Sequence, residues 1–191
     1  MAVDSNAGRP KPRRPTKEEL LAAAGKSVPD IIAGDLAILF CGINPGLYSG
    51  AVGHHFARPG NRFWPALHTG RITDKLLSPY DERELLNFGC GITNIVNRAT
   101  AMASELSHQE LQQGAKRLAR KVRRYKPAIL AILGIDAYRK AFGKKTALIG
   151  QQEDLIGSSK VWVLPNPSGL NAHYQLDDLA VLFKKLKCAS G

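Results

Sequence analysis

Residues 36–47 read Leu36-Ala37-Ile38-Leu39-Phe40-Cys41-Gly42-Ile43-Asn44-Pro45-Gly46-Leu47. Six apolar residues run without alternation into Gly42, and an Asn-Pro-Gly turn follows at once. A strand with one wet face alternates apolar and polar residues. This one does not, so both faces are covered, as in a central parallel strand. The pattern returns at 128–133, closed by Gly134, and at 161–164, ended by Pro165.

Helical signals fill the intervals. Thr16 to Glu19 has capping-box spacing and Gly25 is a stop, which predicts a short helix over 17–24. Asp81 to Glu84 repeats the cap pattern and predicts a helix to about Phe88. Ser107 to Glu110 is a third capping box. After it Leu111, Ala115, Leu118, Val122 and Tyr125 line one helical face, and Pro127 ends the helix. Helices are expected over 135–142 and from Tyr174 to Lys187, the latter with Leu176, Leu179, Leu182, Phe183 and Leu186 inward. Strands alternating with helices make βαβ units. The expected fold is α/β, a three-layer αβα sandwich around a short, mostly parallel sheet.

The chain has 191 residues, which suits one domain, expected over 16–191. Residues 1–15 place Arg9, Lys11, Arg13 and Arg14 among Pro10, Pro12 and Pro15, and read as a flexible basic arm. No apolar run approaches the roughly 20 residues of a membrane span. The opening residues hold no apolar stretch of the secretory kind. Three cysteines, Cys41, Cys90 and Cys188, are too few and too scattered for a disulfide scaffold or a CxxC metal site. Reduced thiols and a cytoplasmic location are expected, nucleoid-associated if the source is bacterial. Lys plus Arg outnumber Asp plus Glu by 27 to 16, a net charge of +11, which favours a polyanionic partner. Lys116, Arg117, Arg120, Lys121, Arg123 and Arg124 form the outer face of the 108–125 helix. That stripe reads either as a DNA-facing surface or as a solvated helix face.

In an open α/β sheet, ligands bind beyond the carboxyl ends of the strands. Two Asn-Pro turns lie there, at 44–46 and 166–169, and Gly46 and Gly169 are expected to permit positive φ and close ligand approach. Between them, 53–64 mixes His54, His55, Phe56, Arg58, Arg62, Phe63 and Trp64 with turn formers. Aromatic rings beside basic groups suit a base stacked next to a phosphate backbone. Adjacent histidines do not share a helix face, and no third ligand follows at metal spacing, so no metal is expected.

GINPGL at 42–47, GHHF-x-x-PGNRFW at 53–64 and NPSGL at 166–170, with VPDI at 28–31 and GITNIV at 91–96, resemble the mismatch-specific uracil-DNA glycosylases and their thymine-DNA glycosylase relatives. The likeness runs from about Val28 to the C-terminus. The wider uracil-DNA glycosylase superfamily carries other residues in the first loop, and its four-cysteine iron–sulfur members are excluded by the cysteine count.

The resemblance implies an enzyme that flips uracil, preferably from G·U mismatches, out of duplex DNA and hydrolyses its N-glycosidic bond to leave an abasic site. It implies that Asn44 positions the water at the sugar. Backbone amides around Ile43, Gly46 and Phe56 would bind the base, Phe56 would stack on it, and Ser49, His55 and Asn94 would complete the substrate set. In the second loop Leu170 would fill the hole left by the base, Gly169 would meet the opposing guanine, Ser168 would touch phosphate, and Asn166 would join the DNA contacts. Leu170 as an apolar cap on the last helix, and Phe56 as core, are the alternatives. Asn94 stands where some bacterial members carry Lys and matches the thymine-DNA glycosylase form, as do His54 and His55. That extends the expected range towards thymine or modified pyrimidines. Ala172 stands where a bacterial relative has Arg, which weakens strict guanine recognition. With no lysine in either loop, the expectation is a monofunctional, cofactor-free, monomeric enzyme acting on double-stranded DNA, with no membrane association. A non-catalytic mismatch-binding protein on the same fold is the main alternative. A nucleotide-binding domain using the turns as phosphate nests is a third reading, without a GxGxxG or GxxxxGK[ST] motif to support it.

Overall fold

The computed structural model describes residues 13–190, so most of the expected arm lies outside the described residues. Five strands, β1 (Ile38–Gly42), β2 (Cys90–Asn94), β3 (Ile129–Leu133), β4 (Gly150–Ile156) and β5 (Ser159–Leu164), form one sheet in the order β2-β1-β3-β5-β4. Only β4 is antiparallel, to β5. The expected α/β sandwich with a mostly parallel sheet is what the chain forms. The continuous apolar runs explain why: every residue of β1 and β3 is buried.

Successive residues point to opposite faces. Ile38, Phe40, Ile129, Ala131 and Leu133 meet α3 (Phe63–Thr69) and α6 (Leu176–Ala189). Leu39, Cys41, Leu130 and Ile132 meet α4 (His108–Tyr125) and α5 (Ile135–Phe142). On the first face Phe40 sits edge-on to Phe63 at 5.3 Å and stacked on Phe183 at 5.7 Å. Truncating such a buried ring costs about 3–5 kcal/mol. Burial holds the Cys90 thiol up at about 12 and the Cys41 thiol higher still, so both are inert apolar fillers.

The Thr16 and Ser107 capping boxes form as expected, with Glu19 N–H donating to Thr16 Oγ1 at 3.2 Å and Glu110 N–H to Ser107 Oγ at 3.1 Å. The first caps only α1 (Lys17–Leu21), shorter than the expected 17–24. The Asp81 cap does not form. Ser78 precedes Pro79 at the helix start, its hydroxyl donates to Asp81 Oδ2 at 2.6 Å, and a 3-10 helix runs over Pro79–Phe88.

Among the described residues, two helices and two strands escape the periodicity reading, besides a 3-10 turn over Ala103–Glu105. Two short helices, α2 (Leu47–Val52) and α3, lie inside the motif stretches. Edge strand β4 is mostly exposed and charged, with Glu153 and Asp154 outward and an irregular register between Gln151 and Leu155. Strand β2 is fully buried, yet ends in the polar pair Thr93-Asn94. Its outer edge is covered by Ile31, which exchanges both backbone hydrogen bonds with Ile92, at 2.9 and 2.7 Å.

Chain direction decides where a ligand sits. The chain leaves β1 towards β2 and leaves β3 in the opposite direction along the sheet. Their carboxyl ends therefore flank the switch point, where open α/β sheets hold ligands.

Candidate active site

A cleft of about 400 Å³ opens at that switch point, between the 42–46 turn, the 55–61 segment, the 100–104 loop and Leu170. Gly42 is required at its floor. A Cβ there would lie 2.5 Å from Asn94 Oδ1 and 3.3 Å from the Phe56 ring, so only glycine lets both approach the strand end.

Asn44 is held from across the fold. Its Nδ2 donates to Pro45 O at 3.1 Å, Arg98 O at 3.0 Å and Thr100 Oγ1 at 2.7 Å. Thr100 in turn donates to Met102 O at 2.9 Å. Both amide hydrogens are thus committed to protein, which makes Oδ1 the group able to accept from a water. Arg98 is fastened by Glu110, at 2.6 and 3.2 Å, which holds the Glu110 carboxyl down at about 2.

Gly46 opens α2 as its N-cap with φ −74°, so the expected positive φ does not occur. What glycine supplies there is room, since a Cβ would meet nothing within 4 Å. Ser49 is buried and accepts from Ala57 N–H at 3.2 Å, so it braces the turn under Phe56 while lining the cleft.

Phe56 occupies the left-handed region at φ +51°. That costs an aromatic residue roughly 1–2 kcal/mol, which its neighbours must offset. They include His55 N–H donating to the buried Glu82 at 2.8 Å and Trp64 Nε1–H donating to His55 O at 3.2 Å. The half-buried Phe56 ring stacks on Phe63 at 4.1 Å and 29°, and also lines the cleft. It therefore belongs partly to the core and partly to the site.

His55 is buried, and its Nε2 lies 2.9 Å from Pro29 O. A carbonyl only accepts, so the proton is on Nε2 and Nδ1 is the acceptor. Asn94 Nδ2 donates to it at 3.4 Å, which turns Asn94 Oδ1 towards Gly42 and the cleft. Burial pushes the imidazole below its ordinary pKa, against the opposing pull of Pro29 O, Glu82 and Asp30, so the ring is neutral near pH 7. His54 donates from Nδ1 to Glu82 at 2.9 Å. Both rings are spent on protein partners, and among the described residues no cluster of His, Cys, Asp or Glu has the arrangement of a metal site.

The second turn is braced differently. Ser168 N–H donates to Asn166 Oδ1 at 3.0 Å, Leu170 N–H to Ser168 Oγ at 3.3 Å, and Asn171 Nδ2 to Asn166 O at 3.0 Å. The Asn166 side chain thus shapes its own loop. Gly169 also lacks the expected positive φ. Its constraint is packing, because a Cβ would lie 2.5 Å from Gly60 O. Leu170 is 73% exposed and six residues ahead of α6, so it does not cap that helix. It stands on a ridge between the cleft and a wider groove of about 790 Å³. The wider groove carries Asp136 and Asp178, the wrong sign for a polyanion, whereas the cleft carries Arg58 and, among the described residues, no carboxylate.

The basic stripe is elsewhere. Helix α4 ends at the amino edge of the sheet, where Asp35 N–H meets Tyr125 O at 2.9 Å, so Arg120, Arg123 and Arg124 lie towards the edge opposite the cleft. Lys121 turns inward to Asp30 and to Thr93 Oγ1 at 2.7 Å. Sequence reasoning assigned no role to Thr100, Arg98, Glu82 or the Pro29 carbonyl, and it grouped Arg62 with phosphate-facing basic residues, whereas its guanidinium is bonded to protein acceptors. Their partners are distant in sequence, and only the PGNRFW spelling around Arg62 hinted at a job.

Two comparisons bear on this arrangement. The family description "Uracil DNA glycosylase superfamily" matches residues 29–187. A protein of Methanosarcina acetivorans, solved by NMR as a candidate uracil DNA glycosylase, superposes with a TM-score of 0.57 at 16% identity, over 85% of this chain and 98% of that one. At that identity the second likeness concerns the fold.

Proposed function

This chain belongs to the uracil-DNA glycosylase superfamily, and from that premise we propose that it is a monofunctional glycosylase. It releases uracil from G·U mismatches, with reach towards thymine or modified pyrimidines. Membership supports a glycosylase-type hydrolysis of DNA. The monofunctional hydrolysis rests on one observation above the others: a cleft with an oriented asparagine and, among the described residues, no carboxylate.

Among the described residues the cleft has no carboxylate, and both ring nitrogens of His55 are engaged, Nε2–H by Pro29 O and Nδ1 by Asn94, so no free base is available to activate water. The chemistry that fits is dissociative. The glycosidic bond breaks first, the base leaves with the electron pair, and an oxocarbenium-like sugar needs only a weak nucleophile in place. Asn44 Oδ1 would hold that water. Backbone donors near Ile43, Gly46 and Phe56 would stabilise the departing anion. Such preorganised donors contribute roughly 3–4 kcal/mol each. The base would lie on Phe56, which Phe63 backs. Asn94 Oδ1 would accept from the N3–H that uracil and thymine carry and cytosine lacks.

Leu170, projecting from the ridge, is suited to entering the stack as the base leaves, with Gly169 beside the opposing base and Ser168 near phosphate. Ala172 supplies no side chain for guanine, so G·U preference would come from backbone contacts and from the weaker pairing of the mismatch. We further propose that the protein acts as a monomer in the cytoplasm.

The test is incubation with a labelled G·U duplex followed by alkali. Strand cleavage at the uracil position, lost in Asn44→Ala, is the expected result. Tight retention of an intact duplex would favour a non-catalytic binder. A covalent adduct trapped by borohydride would overturn the monofunctional reading.

A further inference from the structure

Arg62 ties the 55–64 segment to the 167–175 segment; the chemistry above does not use it, and the sequence offers it only as one of the basic groups beside the aromatic rings. Its backbone N–H donates to Pro167 O at 2.9 Å. Its Nη1 lies 3.0 Å from Ser168 O, 3.0 Å from Asn171 O and 3.2 Å from Tyr174 O, and its Nη2 donates to Gln175 Oε1 at 2.9 Å. Four acceptors along 168–175 thus converge on one guanidinium, and three of them are backbone carbonyls. Arg62 is itself fixed, because it precedes α3, whose Phe63 and Trp64 are core residues. Gly169 packs against Gly60 two residues away, so the segment that carries Phe56 and the segment that carries Leu170 are joined at two points.

We infer that Arg62 is a positioning residue that locks the Leu170 loop to the rigid wall of the cleft, so that the loop acts as a stiff wedge. This rests on the reading of the cleft as a base-excising site. The 166–175 loop is half exposed, with Pro167 and Tyr174 as its apolar anchors, and would otherwise open locally at little cost. A loose wedge cannot hold a base out of a duplex, because each insertion would have to order the loop as well as unstack the DNA. A rigid one carries that ordering in the fold already. Lysine is not equivalent. It offers a point charge on a flexible stem and cannot serve four diverging acceptors as a planar fork does.

The full chain is compared with Arg62→Ala and Arg62→Lys in two measurements. The first is single-turnover uracil release from a G·U duplex and from a single strand, where no stack must be opened. Release from the duplex should fall about tenfold or more in Arg62→Ala, while single-strand release changes less than about threefold. Arg62→Lys should recover only part of the duplex rate. The second is amide hydrogen exchange over 167–175, which should accelerate about tenfold or more in Arg62→Ala, with the β1 and β3 amides unchanged. Equal losses on both substrates, or unchanged exchange in the loop, would overturn the inference. If Arg62→Ala does not fold, Arg62→Lys carries both readouts. If the natural sequence releases no uracil from either substrate, the functional reading falls and the exchange result alone decides whether the clamp exists.

Discussion

Two Asn-Pro turns of nearly the same spelling end β1 and β5, and the fold uses them in opposite ways. In the first, the asparagine side chain reaches out of its loop to Arg98 and Thr100, and the glycine above it faces open space. In the second, the asparagine side chain closes its own turn, the glycine is pressed against Gly60, and a leucine is pushed into solvent. One loop is oriented by the rest of the protein so that an amide oxygen faces a cavity. The other is braced from within and clamped by Arg62 so that an apolar side chain stands proud. The lesson is that the dipeptide specifies a turn, and the partner residues specify what the turn is for.

The largest expected effect lies in the first loop. Asn44→Ala should lower the single-turnover rate on a G·U duplex by about 10²–10³-fold with little change in duplex affinity. A rate within a few-fold of the natural one would break the contrast between the loops. The glycines sharpen it. Gly46→Ala meets no neighbour and has a compatible φ, so thermal stability should hold or rise slightly, while activity falls about tenfold or more because the added methyl occupies ligand space. Gly169→Ala collides with a backbone carbonyl, so it should lower stability by about 1–3 kcal/mol and displace the Leu170 loop, visible as faster exchange there.

Smaller effects test the surroundings. Arg58→Ala removes the one formally charged side chain that lines the cleft among the described residues. It should reduce the salt slope of DNA binding by about one, whereas Arg120→Ala on the far end of α4 should not. The smallest concerns His55. Its pKa is lowered in the fold, so its contribution is fully present above the unfolded value of about 6.5 and is lost as pH falls below that value. Denaturant midpoints measured between pH 8 and pH 5 should decline, and less steeply in His55→Gln.

The sheet was legible in the sequence because its three inner strands are buried on both faces and so lack polar interruptions. The two edge strands were not. Strand β4 is polar because it faces solvent, and β2 hides a buried threonine and asparagine whose partners, Asp30, Lys121 and His55, are 28 or more residues away. At the site, glycine and proline mark the turns that carry Asn44 and Leu170, while the expected roles of Asn44, Phe56 and Leu170 come from the resemblance rather than from the turns. The positive φ expected at Gly46 and Gly169 does not occur, because a turn motif does not distinguish a glycine kept for its backbone from one kept for its missing side chain. The clamp at Arg62 was passed over because a guanidinium bonded to main-chain carbonyls leaves no complementary charge in the sequence.

The cover over the outer edge of β2 has a further consequence. Ile31 closes that edge to other strands, while Pro29, two residues earlier, holds the proton of His55. The opposite edge of the sheet is guarded by the charges and irregular register of β4. Resistance to edge-to-edge aggregation and the tautomer of a cleft histidine therefore depend on the same three residues. A substitution that frees 29–31 would expose a sticky strand and release the Asn94 amide, the group proposed above to read the base, in one step, so solubility and the proposed selectivity would be lost together.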